Sequence, residues 1–227
     1  MLQAVLFDLD GTLADTERQN AESVARVLEA DGRPVTDAER QFVVGHGWKE
    51  IYAHLSSHGG VRLSFEELAH RAALAREKIV EEEGLRVLPG AVGLVRRVSS
   101  RFASAVVSGS SRAEISFCLR ALGVESCFPW FIGAEDTPRG KPHPDGYLLA
   151  AARLGVEPRR CLVLEDSTAG ITAAKAAGMR CIAVRAGNFL GQPQDGADRV
   201  VDTLEQVDDA LIGEVMGGAY NGAVGGG

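Results

Sequence analysis

The chain has 227 residues, 45% of them hydrophobic, and carries 24 Lys and Arg against 31 Asp and Glu for a net charge of −7 at pH 7. Its length and apolar content suit one sizeable domain, or a core with a smaller insert, and exclude a disordered or fibrous chain. The acidic balance leaves no basic field for nucleic acid or an anionic membrane, so an anionic substrate must be met by locally concentrated positive charge. Cys118, Cys127, Cys161 and Cys181 make no CxxC or Cys/His zinc spacing and read as reduced packing thiols. The first residues show no basic leader with a following apolar stretch, and no apolar run approaches the roughly 18 residues of a membrane helix. The expected location is cytoplasmic.

An apolar run over residues 2–9 opens the chain as a buried strand and closes on Asp8-Leu9-Asp10-Gly11-Thr12. Alternation along a strand sends Asp8 and Asp10 to the same side, and at the carboxyl end they face the crevice where open α/β sheets bind ligands. Two acids that close must share a cation or a proton. From residue 15 to 86 no strand-like run appears, while residues 21–30, 49–57 and Phe65–Glu83 carry helical spacing and good helix formers. This reads as an all-helical insert. The exit Leu85-Arg86-Val87-Leu88-Pro89-Gly90 reads as a hinge, with Pro89 at a helix entry. Two chain crossings then make hinged closure geometrically natural.

Further strands are expected at Ala103–Val107, Trp130–Ile132, 161–164 and 181–184, alternating with helices over 115–122, 144–154 and 168–177. Each of those helices ends on a glycine suited to a left-handed cap, Gly123, Gly155 or Gly178. The expected fold is α/β, a doubly wound parallel sheet of residues 1–14 and 87–215 with an all-helical unit, 15–86, inserted after strand 1. Residues 216–227, rich in Gly and Ala, are expected to form a flexible tail. The sequence contains no repeats.

Four separated pieces carry the chemistry. After Asp8-x-Asp10 comes Ser108-Gly109-Ser110-Ser111-Arg112, where a strand gives way to hydroxyls and amides at a helix start, a surface suited to phosphate. Lys141-Pro142-His143-Pro144-Asp145 places a lysine on a proline-stiffened loop, and Glu165-Asp166-Ser167 ends another apolar strand in acids. Together with Thr168-Ala169-Gly170 and Ala173-Ala174-Lys175-Ala176-Ala177-Gly178-Met179, these motifs resemble the haloacid dehalogenase superfamily. The likeness is greatest to its branch of sugar-phosphate phosphatases and β-phosphoglucomutase-like proteins, and it covers nearly the whole chain.

The resemblance implies roles. Asp8 would attack phosphorus and become an aspartyl-phosphate, and Asp10 would protonate the leaving alcohol and then deprotonate water. Mg²⁺ would be held by Asp8, the Asp10 main-chain carbonyl and Asp166. Lys141 would set positive charge against the transferring group, Ser108 and Gly109 would hold its oxygens, and Glu165 would orient Lys141 or a metal-bound water. Arg112 is a candidate substrate contact, whereas Ser111 is read as a helix cap and His143 as a loop residue. The insert would act as a helical cap whose loop Val44-Gly45-His46-Gly47-Trp48-Lys49-Glu50 contributes specificity, with Gly45, Trp48 and Lys49 as contacts and Arg71 and Arg76 as weaker ones.

β-Phosphoglucomutases carry a histidine where this chain has Asn20, which favours hydrolysis over mutase chemistry while leaving Asn20 an amide for substrate. Asp10 argues against haloacid dehalogenase and phosphonoacetaldehyde hydrolase activity, and the intact motifs argue against a non-catalytic phosphate-binding module. The expected partner is a small phosphate ester, with neither nucleic acid nor membrane, in a monomer or weak dimer.

Overall fold

The computed structural model describes residues 1–44 and 46–217. In chain order these form β1 (Ala4–Phe7), α1 (Thr16–Ala30), α2 (Asp37–Val43), α3 (Trp48–Ser57), α4 (Phe65–Glu83), α5 (Ala91–Ser99) and β2 (Ala103–Val107). There follow α6 (Arg112–Ala121), β3 (Trp130–Ile132), α7 (Asp145–Leu154), β4 (Cys161–Glu165), α8 (Thr168–Ala176), β5 (Arg180–Val184), β6 (Arg199–Val201) and α9 (Asp209–Val215). The chain divides into two compact units, one of residues 1–14 with 87–227 and one of residues 15–86.

The larger unit is built on a six-stranded sheet of order β3-β2-β1-β4-β5-β6, with every pairing parallel. β1 is central and buried along its whole length, which is why its sequence, Ala-Val-Leu-Phe, is a continuous apolar run rather than an alternating one. One face sends Leu6, Val107, Val163 and Cys181 into a core with Tyr147 and Ala150 of α7 and Ile171 and Ala174 of α8. The alternate residues, Val5, Phe7, Val106, Leu164 and Ile182, are equally buried and point to the opposite face. α5, α6 and α9 pack against β2, β3 and β5. No helix among the described residues is long and apolar enough to cross a membrane.

Several boundaries differ from those the sequence suggests. β1 stops at Phe7, because the chain turns through Gly11, where Asp10 and Ala14 make an isolated bridge. β6 and α9 are additional elements, since three and seven residues are too few to show a period. Pro89 does not enter α5; Gly90 is the N-cap at φ 84°, and a Cβ there would lie 2.3 Å from the Glu205 amide nitrogen. Gly123, Gly155 and Gly178 do take positive φ at the helix ends. Met216 and Gly217 close α9; the rest of the expected tail, 218–227, lies outside the described residues.

The smaller unit is built of helices joined by loops, with no strand among its described residues. α1, α3 and α4 bury Val24, Leu28, Ile51, Leu55, Leu68 and Ala72 in one cluster. α1 begins at Thr16, earlier than the apolar spacing suggests, because Asp15 caps it by accepting from the Arg18 N–H at 3.2 Å. α2 has no apolar period to announce it, although Thr36-x-x-Glu39 spells a capping box, with Thr36 N–H on Glu39 Oε2 and Glu39 N–H on Thr36 Oγ1. Glu39 is also buried against Arg33 at 2.5 Å. Burial pushes the Glu39 carboxyl up, but the Thr36 donors and the Arg33 guanidinium outweigh it and hold the group at about 2.

Candidate active site

Strand register assembles the site. Phe7 is paired with Val106 on one side and Leu164 on the other, so the residues that follow within one or two positions on each strand gather at the carboxyl edge of the sheet. Asp8, Ser108 and Glu165 come from these three neighbours, and the strand order reverses direction at β1. Gly11 takes φ 82°, and a Cβ there would fall 2.2 Å from Asp166 Oδ2, so this turn needs glycine both for its backbone and for the acid behind it.

A single ammonium serves two buried carboxylates. Lys141 Nζ lies 2.5 Å from Asp8 Oδ1 and 2.6 Å from Glu165 Oε1, and 5.3 Å from the centre of the Tyr147 ring. Tyr147 donates its hydroxyl to the same Glu165 oxygen at 3.0 Å. Glu165 Oε2 accepts from the Asp166 and Ser167 amides at 2.9 and 3.0 Å and from Ser167 Oγ at 3.0 Å. Burial works to raise the Glu165 pKa, yet Lys141 and these donors hold it below the ordinary carboxylate range. Burial alone would lower Lys141, and the two carboxylates hold it well above its usual value. Asp8 goes the other way. Its burial, reinforced by the charges of Glu165 and Asp10, outweighs Lys141 and pushes it well above the normal range.

Asp8 Oδ2 is buried without a hydrogen-bond partner. Oxygens of Asp8, Glu165 and Asp166 lie within 4.8 Å of one another. Since both Glu165 oxygens are engaged, Asp8 Oδ2 and the Asp166 carboxylate are the donors that fit a cation, and hard anionic oxygens suit a small divalent ion such as Mg²⁺. The orphaned Asp8 oxygen supplies the physical reason, because a buried carboxylate oxygen facing no donor calls for positive charge.

The Asp10 carboxylate is held separately. Ser108 Oγ donates to Asp10 Oδ2 at 2.6 Å and Ser110 Oγ to the same oxygen at 3.1 Å, while Ser108 Oγ accepts from the Ser110 N–H at 2.9 Å. The motif pattern assigns Ser108 to phosphate and reads Ser110 with Ser111 as a helix cap, whereas the Ser108 and Ser110 hydroxyls here both face the acid. Ser111 is the N-cap of α6, completing a capping box with Glu114. Gly109 is exposed, and a Cβ there would meet nothing. The Arg112 guanidinium is about half-exposed and lies 3.5 Å from Glu135 and 3.7 Å from Asp136. His143 is an exposed loop residue whose N–H donates to the Gly140 carbonyl.

Gly187, Tyr147 and Gln194 do not stand out in the sequence, and Gly170 stands there as part of a motif without a role of its own. Gly170 leaves room for Glu165: a Cβ there would lie 1.6 Å from Glu165 Oε1. Gly187 approaches the first motif so closely that a Cβ would lie 1.7 Å from the Gly11 carbonyl oxygen. Tyr147 and Gln194 are buried polar groups in stretches that read as helix and loop. A glycine in the first turn of a helix, where alanine is intrinsically better, is the available signal for Gly170.

The remaining candidates belong to the helical unit. Asn20 lies in α1, and its carbonyl accepts from Ser23 Oγ at 2.7 Å. Trp48, the first residue of α3, packs with Tyr52 on the unit's own core, and Lys49 beside it is exposed. His46 stacks on Phe42 with ring centres 3.9 Å apart. Arg71 pairs with Glu67, and Arg76 is buried. Gly45 lies outside the described residues.

A family model described as haloacid dehalogenase-like hydrolase matches residues 2–178. The chain belongs to this family. Validoxylamine A 7'-phosphate phosphatase of Streptomyces hygroscopicus subsp. limoneus is 36% identical over 184 residues, spanning 80% of this chain and 85% of that protein. Phosphorylated carbohydrates phosphatase of Thermotoga maritima is 32% identical over 182 residues, spanning 80% and 84%. The crystal structure of CbbY from Rhodobacter sphaeroides in complex with phosphate covers 91% of this chain and 96% of its own, with a TM-score of 0.80 at 29% identity. The resemblance carried by the four motifs is thus borne out, as is the doubly wound parallel sheet. This haloacid dehalogenase-like chain is a hydrolase whose matched relatives include several named as phosphatases.

Proposed function

We propose that the protein is a Mg²⁺-dependent phosphatase that hydrolyses a small phosphorylated carbohydrate through an aspartyl-phosphate. The observation that carries this reading is the separation of two neighbouring carboxyls into different environments. Asp8 lies against Lys141 with one oxygen orphaned, and Asp10 is held by two serine hydroxyls. Different environments assign different tasks to like groups.

An Asp8 oxygen attacks phosphorus and the phosphorus–ester oxygen bond breaks, with the Asp10 proton passing to the leaving alkoxide. Water then attacks the aspartyl-phosphate, its proton passes to Asp10, and the Asp8–phosphorus bond breaks to release inorganic phosphate. Each cycle consumes one ester and one water, and the carboxyls end as they began. Lys141 holds Asp8 oriented and faces the charge that develops on the transferring group, while Glu165 fixes Lys141 in that place. Asp8, the Asp10 main-chain carbonyl and Asp166 would hold Mg²⁺, which when bound would supply charge neutralisation between nucleophile and phosphate. The relatives named for phosphorylated carbohydrates and validoxylamine A 7'-phosphate support a sugar-like ester, and the helical unit is assigned the choice among such esters.

The Asp8→Asn variant is expected to lose p-nitrophenyl phosphate hydrolysis by at least about 10³-fold while folding normally; full activity in that variant overturns the mechanism. Incubation with β-glucose 1-phosphate is expected to release free phosphate, and formation of glucose 6-phosphate primed by a trace of bisphosphate identifies a mutase instead.

A further inference from the structure

We propose that Gln194 is a positioning residue for Asp166, a role that rests on the reading of Asp166 as a metal donor. The Gln194 side chain is buried, and its Nε2 donates at 2.5 Å to the Asp166 carbonyl and at 2.8 Å to the Val184 carbonyl. Those two carbonyls stand where β4 and β5 cease to pair. The ladder matches Leu164 with Ile182 and Glu165 with Ala183, and the next positions along are Asp166 and Val184. The amide of Gln194 therefore joins the two strands one step beyond their last rung.

Asp166 is consequently fixed from both ends of its own backbone. Its N–H is bound by Glu165 Oε2 and its C=O by Gln194, so the direction in which its carboxylate leaves the chain is set by two buried side chains. The loop that delivers Gln194 is itself anchored. Thr168 Oγ1 donates to the Pro193 carbonyl at 2.6 Å, Asn188 Nδ2 to the Gln192 carbonyl at 2.7 Å, and the Ala197 N–H to the Gln194 carbonyl at 3.1 Å. The same loop brings Gly187 against Gly11, so it braces the backbone beneath Asp8 and Asp166 together. A primary amide is what this position requires, since it offers two N–H bonds from one atom without burying a charge; methionine and glutamate of similar length offer none.

Partners that orient a metal ligand are typically worth about 10- to 100-fold in metal affinity. The test is Mn²⁺ binding to the full-length protein without substrate, followed by the electron paramagnetic resonance signal of free Mn²⁺, on the wild type, Gln194→Met, Gln194→Asn and Asp166→Asn. Thermal unfolding of each is recorded beside it. Gln194→Met is expected to weaken Mn²⁺ binding by about tenfold or more and to raise the Mg²⁺ concentration for half-maximal p-nitrophenyl phosphate hydrolysis in step. At saturating Mg²⁺ its KM is expected to stay within about twofold of the wild type. Gln194→Asn, which keeps the amide on a shorter stem, is expected to lose less, and it gives the same readout if the methionine variant fails to fold. Val98→Ala, a core truncation in α5, serves as the matched destabilised variant and is expected to bind Mn²⁺ as the wild type does. If Asp166→Asn loses Mn²⁺ while both Gln194 variants bind within twofold of wild type, the Gln194 assignment is wrong and the metal site stands. If Asp166→Asn itself binds normally, the metal site is wrong and this role for Gln194 falls with it.

Discussion

Replacing Gly170 by alanine sets helix propensity against the geometry of the site, and the two predict opposite signs. Gly170 is the third residue of α8, where alanine is favoured by up to about 1 kcal/mol. A Cβ at that point, however, would lie 1.6 Å from Glu165 Oε1 and 1.9 Å from Glu165 Cδ, closer than any packing adjustment absorbs. Glu165 must leave its seat, and in doing so it gives up at least the Asp166 and Ser167 amides on Oε2 and weakens its hold on Lys141. Hydrogen bonds to a charged group are worth about 1.5–3 kcal/mol each, so losing the two amides costs about 3–6 kcal/mol and the net destabilisation is about 2–5 kcal/mol. For a chain of this size that corresponds to a fall in Tm of roughly 5–15 °C. Hydrolysis of p-nitrophenyl phosphate should fall at least tenfold, because Lys141 loses the carboxylate that orients it. Gly93 is the matched control: it is the third residue of α5, exposed, and a Cβ there would have nothing within 4 Å. Gly93→Ala should raise Tm by about 1–4 °C at unchanged activity. Circular dichroism melts of both variants decide the matter; a Gly170→Ala protein that melts at or above the wild type with full hydrolysis refutes this account of Glu165.

Ser110→Ala should lower kcat by about 10- to 100-fold with little change in KM, since it removes one of two hydroxyls holding the Asp10 carboxylate, and steady-state kinetics with a sugar phosphate read the split. In the helical unit, the unfolded chain protonates Glu39 near 4.5 whereas the folded unit resists until about 2. Its contribution is therefore fully present above pH 4.5 and is lost as the pH falls towards 2, with a ceiling of about 3 kcal/mol that solvent screening reduces. Urea unfolding at pH 5.5 and pH 3 should show a smaller loss for Glu39→Gln than for the wild type; an identical loss in both removes Glu39 from the account.

The local pattern is enough for much of the molecule. Continuous apolar runs mark the buried parallel strands, helical spacing marks α4 from end to end, and glycines mark where α6, α7 and α8 finish. The acids, the lysine and the serines of the four motifs are equally legible, because each stands where a strand or loop leaves the sheet. The short elements are not: α2, β6 and α9 have too few residues to display a period, and α1 begins in a polar stretch whose signal is the Asp15 cap rather than hydrophobicity.

What the amino-acid order alone determined was therefore the fold class, the helical insertion and the inventory of reactive groups, since these depend on residues close together in the chain. What only the tertiary structure decided was how those groups divide the work. Ser108 and Ser110 reach Asp10 across about a hundred positions, Lys141 reaches back to Asp8, and Gln194 reaches Asp166 and Val184 from a loop with no periodicity of its own. Burial pushes both Asp8 and Glu165 up, and only around Glu165 do Lys141 and the neighbouring donors outweigh it, so the two acids end on opposite sides of the ordinary carboxylate range, a difference that arises only once the strands lie side by side.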